Sequence, residues 1–345
     1  MSSVPPSRPD IAARIARVDA AADDEQLRAA IDRAQAAILA ERRASATALA
    51  TAWSTVLLRG VAAGVRLAAG AADWTWYASG SAARGEAVPR SDVETMVVLG
   101  DTVGPDEKSS YLSRAADVHN LLERCGIQGD ANGVLASRPR FCRRARGWTQ
   151  GIEQWTAEPQ KDRGVVMTGL LADSTALPGP RVLPEDALRA KVVTAAVQSY
   201  PVRQAMLRDA TAVRASVPSP LRLFARMADT VDVKLAAIDP VVKIARWAAL
   251  ASGSDALSTP ARLDAAAADV LDPDDASSLR DCFEWLLRFR WGIRRAAVVA
   301  ARPVSDVISL SDLAPQERAA LRSVAREVSR IRRKLDYLAS ASAFR

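Results

Sequence analysis

Gly80-Ser81-Ala82-Ala83-Arg84-Gly85-Glu86-Ala87-Val88-Pro89-Arg90-Ser91-Asp92-Val93-Glu94 is the stretch from which the rest of the chain is read. Before it runs Trp74-Thr75-Trp76-Tyr77-Ala78-Ser79, aromatic and β-prone. After it runs Thr95-Met96-Val97-Val98-Leu99, an apolar run of buried-strand character. The pattern predicts strand, Gly-Ser turn, a short helical turn carrying Arg84 and Glu86, then a second strand. Asp92 and Glu94 stand two apart at the start of that second strand, and a period of two puts both carboxylates on one face. Two carboxylates so placed can share a divalent cation, and Mg²⁺ favours carboxylates together with phosphate oxygens. Gly80 and Ser81, opening a helical turn, offer backbone N–H groups and a hydroxyl to a phosphate.

Gly80-Ser81, then Arg84-Gly85-Glu86, then Pro89-x-Ser91-Asp92-x-Glu94 follow one another within fifteen residues. This run resembles the nucleotidyltransferase motif of the DNA polymerase β superfamily, in the version carried by bacterial PII-protein uridylyltransferases. It also resembles the bacterial nucleotidyltransferases whose catalytic domain is followed by a helical substrate-binding domain. The resemblance implies Asp92, Glu94 and Asp173 as catalytic, metal-binding carboxylates. It places Gly80, Ser81, Arg84 and Ser91 on the nucleotide side, with Mg²⁺ or Mn²⁺ as cofactor and a nucleoside triphosphate as substrate. Arg84 has two readings, a phosphate partner or an ion-pair partner of Glu86. Asp173 likewise has two, third metal ligand or ordinary turn aspartate before Ser174. Three positions depart from the family pattern. Glu94 stands where Asp is usual, Ala83 where Gly is frequent, and Thr175 where Arg is frequent.

With 345 residues, nearly half of them hydrophobic and a quarter charged, the chain is long enough for two or three domains. The net charge of +7 suits anionic partners such as nucleotides. Cys125, Cys142 and Cys282 lack metal-type spacing and read as buried free thiols of a cytoplasmic protein. His119 is the single histidine, which excludes a histidine metal cluster and a His-Asp hydrolase site. It falls in a helix expected over 106–124 and reads as a packing or surface residue. The Ala-rich stretch 45–72 is interrupted by Arg59 and Arg66, so it reads as a buried helix and no membrane partner is expected.

The pattern along the chain divides into a weakly ordered 1–22, a helical lead-in over 23–71, a catalytic domain over 72–180 and a helical substrate-binding domain over 181–345. Asp23 or Asp24 caps a first helix with a Leu27, Ile31, Ala34, Ile38 stripe. Within the catalytic domain, 132–137 reads as a strand or extended loop, Pro139 as the opening of a helix containing Trp148, Ile152 and Trp155, and 165–171 as a strand ending at Asp173. From Pro184 the period is helical. Pro240, Pro260 and Pro273 mark helix starts, and Ser219-Pro220-Leu221 belongs to the family resemblance. A final helix carries the seam Leu321, Val324, Val328, Ile331, Leu335, Leu338. Arg322, Arg326, Arg330 and Arg333 lie off that seam, as a solvated face or an anion-facing one.

The expected fold class is α+β: a small mixed-sheet domain with a helical lead-in and an all-helical C-terminal domain. The expected function is Mg²⁺-dependent transfer of a nucleoside monophosphate to a protein, PII-like, or small-molecule acceptor. The alternatives are a degenerate nucleotide-binding regulatory protein and an RNA-directed nucleotidyltransferase; the C-terminal arginines have no aromatic interleaving to stack bases. The base of the nucleotide, the acceptor and the oligomeric state are not encoded in any of these patterns.

Overall fold

The computed structural model describes residues 8–70, 72–184, 186–212, 217 and 229–341. Ser219-Pro220-Leu221 lies outside the described residues. The fold is α+β, mostly helical with one small mixed sheet. Two compact units divide the chain. The first takes residues up to Glu153 together with Asp173–Lys191, and the second takes Gln154–Ala172 and the chain from Val192.

The first unit begins with helices α1 (Arg8–Asp19), α2 (Asp24–Ala40) and α3 (Ala46–Ala69). Asp23 caps α2, its carboxylate accepting from the Gln26 N–H at 2.7 Å. Leu27, Ile31, Ala34 and Ile38 are buried as one stripe. Among the described residues α3 is the one helix long and apolar enough to cross a membrane, yet Trp53, Val56, Leu57 and Val61 are buried. It packs against α1, α2 and α5 (Pro105–Arg124). Gly64 permits the last contact, since a Cβ there would stand 2.8 Å from Leu122 Cδ2.

The sheet has the order β3-β2-β1-β4, built from β1 (Trp74–Ser79), β2 (Glu94–Leu99), β3 (Cys142–Arg144) and β4 (Thr175–Ala176). β1 pairs antiparallel with β2 and with β4, and β2 pairs parallel with β3. Trp148 donates its indole N–H to Val97 O at 2.9 Å, fixing α6 (Ala145–Ala157) to the sheet. His119 lies inside, 3.1 Å from Thr95 Oγ1, and burial lowers its pKa to about 4. It is a packing residue, uncharged at neutral pH.

Three expectations need correction here. Residues 165–171 are not a strand but the core of helix α7 (Gly164–Ala172), and the last strand is the two-residue β4. An apolar run of that length does not separate a buried helix from a buried strand, and Met167 and Leu171 are buried in the second unit. Residues 132–137 form an extended loop with turns, so the third strand is β3. Pro139 stays in a turn, and α6 starts only at Ala145.

Three successive residues after α7 are fastened by arginines. Arg262 donates to Ala172 O at 2.7 Å in the second unit. In the first unit Arg84 grips the Asp173 carboxylate and Arg189 donates to Ser174 O at 2.8 Å. Helix α8 (Ala187–Gln198) follows.

The second unit continues with α9 (Tyr200–Ala212), α10 (Asp239–Ala251), α11 (Thr259–Asp264), α12 (Pro273–Val299) and α13 (Pro315–Ala341). Pro240, Pro260 and Pro273 each occupy the first turn of a helix, where a missing N–H costs nothing. On α13, Leu321, Val328, Ile331 and Leu335 are buried, with Ala325 in place of Val324. The Leu338 side chain lies outside those described. Arg330 is tied to Asp275 and Glu327, so that part of the arginine face is ion-paired.

An all-helical C-terminal region is not what forms. β5 (Thr230–Asp232) and β6 (Val307–Ser309) make a two-stranded antiparallel sheet. The preceding loop is locked by Asp306, whose two oxygens accept from Arg290 and Arg294 at 2.6–2.8 Å. Burial alone would raise the Asp306 pKa, but the hydrogen bonds and charges of the two arginines hold it well below the usual carboxylate range.

Asp306→Asn therefore leaves two buried guanidinium groups facing each other and is expected to cost about 3 kcal/mol in urea unfolding of the full chain. Because the folded carboxyl is depressed, its contribution is present above the ordinary Asp pKa of 3.8 and is lost as pH falls further. The variant's acid-unfolding curve should be flatter over that range.

Candidate active site

The site forms where β1 ends and β2 begins. Register pairs Ser79 with Glu94, so the next residue, Gly80, lies beside the Glu94 side chain. Gly80 has φ +67, and a Cβ there would stand 2.7 Å from Glu94 Oε2. Both facts demand glycine: the left-handed backbone and the space taken by the carboxylate. One helical turn follows, α4 (Gly80–Ala83), closed by Arg84 N–H to Gly80 O at 3.0 Å. Ser81 is partly exposed, and its carbonyl accepts from the Glu86 N–H at 2.8 Å.

The loop from Gly85 to Asp92 is held from outside and from within. Ser54 Oγ on α3 accepts from the Ala87 N–H at 3.0 Å. Ser91 Oγ accepts from the Val88 N–H at 3.0 Å, and the Ser91 N–H returns to Val88 O at 2.9 Å. Ser91 thus closes the turn that delivers Asp92. Asp92 precedes the strand; β2 starts at Glu94.

Arg84 lies almost wholly buried among carboxylates. Its Nε donates to Glu86 Oε2 at 2.7 Å and its Nη1 to Asp173 Oδ2. Of the two sequence readings of Arg84, the Glu86 ion pair is the one present, and it extends to Asp173. Glu94 has its pKa raised to about 7, first by burial and then by the charge of Asp173; Arg84 opposes this, and Asp130 and Asp92 add to it. The fold therefore gathers Gly80, Arg84, Glu94 and Asp173 tightly, with Asp92 near enough to act on Glu94.

Asp130 was not singled out from the sequence. It is buried, accepts from the Val134 N–H at 2.9 Å, and its own N–H donates to Val93 O at 3.1 Å. Asp130-Ala131-Asn132-Gly133 is ordinary turn chemistry, and only the fold carries that aspartate to the site.

The donor chemistry suits a hard divalent cation. All the candidate ligands are carboxylates, and a buried acid pressed against like charges is an arrangement that a cation relieves. Among the described residues no three ligating side chains converge into a finished cage.

Two family models match the chain. One, described as "Putative nucleotidyltransferase DUF294", covers residues 29–162. The other, described as "Putative nucleotidyltransferase substrate binding domain", covers residues 202–338. Both halves of the two-domain arrangement are present, in order. The chain belongs to this nucleotidyltransferase family. A general role in nucleotidyl transfer and a nucleotide substrate follow from the membership. A comparison with curated proteins finds no match. The family's catalytic segment contains the whole run from Gly80 to Glu94, whereas Asp173 falls between the two matched segments.

Two consequences can be measured. Gly80→Ala should destabilise the full chain by about 1–2 kcal/mol, from the left-handed backbone alone, in chemical unfolding. The Glu94 pKa rises on folding from 4.5 to about 7, so the folded state holds more protons across that interval and stability falls as pH rises through it. Without added divalent cation, wild-type melting temperature should drop over that interval while Glu94→Gln stays level and is the more stable protein above it.

Proposed function

We propose that the protein is a Mg²⁺-dependent nucleotidyltransferase that moves a nucleoside monophosphate from a nucleoside triphosphate onto a protein or small-molecule acceptor held by the C-terminal helices. The observation that carries this reading is the Glu94 carboxyl, set against the Gly80 turn with Asp173 and Asp92 acting on it. Uridylylation of a PII-like protein is the first reaction to try, because the Gly80–Glu94 run resembles that version of the motif. Buried free thiols suit a reducing compartment, which supports the cytoplasm as its location.

Asp92, Glu94 and Asp173 form the carboxylate set that would hold the cation. When bound, the cation would neutralise charge on the phosphates and polarise the attacking hydroxyl. Gly80 and Ser81 would orient the triphosphate by backbone N–H and hydroxyl donors. Such positioning removes entropy from the reaction, and fixed dipoles stabilise the charge that develops. Arg84, bound on both sides by acids, would act on the phosphates only through the carboxylates it holds. Ser91 would contribute by keeping the loop closed.

A regulatory nucleotide-binding protein is the second reading, favoured by the commitment of Asp173 to Arg84. The experiment is pyrophosphate release and label transfer, with each nucleoside triphosphate, Mg²⁺ and a lysate-derived acceptor fraction. Asp92→Asn and Glu94→Ala should lose at least about 100-fold in rate with an unchanged circular dichroism spectrum, and Glu94→Asp should retain most turnover. Near-wild-type activity in Asp92→Asn would remove the metal assignment. Tight nucleotide binding without pyrophosphate release under any of these conditions would leave the regulatory reading standing.

A further inference from the structure

We infer that Asp173 is a positioning residue paired permanently with Arg84, and that Asp92 and Glu94 hold the cation without it. This rests on the cation reading above and narrows it to two of the three carboxylates.

Four observations point the same way. Asp173 Oδ2 accepts from Arg84 Nη1, and the two side chains are 2% and 9% exposed, so water does not compete for either. Arg84 is held on its other side by Glu86, itself 6% exposed, which sets the guanidinium plane before Asp173 meets it. The Glu94 carboxylate is turned to the opposite partner, its two oxygens and Cδ all within 3.1 Å of where a Gly80 Cβ would be. Among the described residues no three ligating side chains converge.

The backbone around Asp173 is fixed as well. Arg262 bonds Ala172 O, and Arg189 bonds Ser174 O from a side chain that is 9% exposed and also paired with Asp186. A carboxylate with both neighbouring carbonyls fastened cannot swing across to a cation by moving its own main chain. Turning only its side chain would strip Arg84 of one of its acids, and a buried guanidinium left half-paired is strongly unfavourable. The three carboxylates therefore divide into two tasks. Asp92 and Glu94 open toward the Gly80–Ser81 turn, where a cation and phosphate would meet. Asp173, through Arg84, keeps the Glu86 side of the loop in register with β4.

The test follows the Arg84 side chain while Mg²⁺ is added to the full-length protein. Its guanidinium Nε–H is identified in ¹⁵N-edited spectra by its loss in Arg84→Lys. The expected result is that amides of Gly80, Ser81 and Glu94 shift with Mg²⁺ while the Arg84 Nε–H signal keeps its position and slow exchange. Disappearance or a large shift of that signal on saturation means that Asp173 has left Arg84 for the ion, and overturns the inference. Crystals of the wild type soaked in Mn²⁺ give a reading that needs no variant. An anomalous peak within about 2.5 Å of Asp92 and Glu94 oxygens, with Asp173 still on Arg84, supports it. An Asp173 oxygen inside that distance overturns it and leaves the wider cation reading intact. No amide shift and no anomalous peak would remove both.

Discussion

The architecture of the site depends on one placement, a guanidinium sealed among acids. Arg84 is acted on by Glu86, Asp173 and Glu94 together. Removing a charge from water is costly, and the cost is met here by two direct ion pairs in a region with little solvent. Loop, strand β2 and the residue before β4 are thereby joined at a single side chain. Ser54 and Ser91 then hold the loop between them by hydrogen bonds to backbone N–H groups. Gly80 completes the arrangement by supplying nothing: the absent Cβ is the room that Glu94 uses.

The region of Gly80 to Glu94 was legible because its determinants are local. A glycine with positive φ, a serine closing a turn and acids spaced two apart leave marks within fifteen residues. Asp173 was reached through family resemblance, since nothing in Asp173-Ser174 distinguishes a site residue from a turn. Asp130 was not reached at all. Its role depends on the parallel bridge of Val93 to Gly129, a tertiary fact with no trace in nearby sequence.

The same division explains the fold. Helices with caps and periodic stripes, such as α2 and α12, follow from short-range chemistry. The segment now seen as α7 is apolar on every side, so period cannot identify it. β5 and β6 are three residues each and lie more than seventy residues apart, too short for alternation and too distant for a hairpin signal. What pins them is the Asp306 lock, invisible until Arg290 and Arg294 are brought face to face.

The arginine fastening at Ala172, Asp173 and Ser174 has a practical consequence for anyone dissecting the protein. Compact units usually meet in slack polar linkers, where chains can be cut, lengthened or rejoined at little cost. Here the chain passes from one unit to the other between Ala172 and Asp173, and each flanking group is already spoken for. A single inserted residue would shift the carboxylate off its guanidinium, so the natural frontier for separating the two units is also the one place where a seam, tag or permuted terminus cannot be introduced.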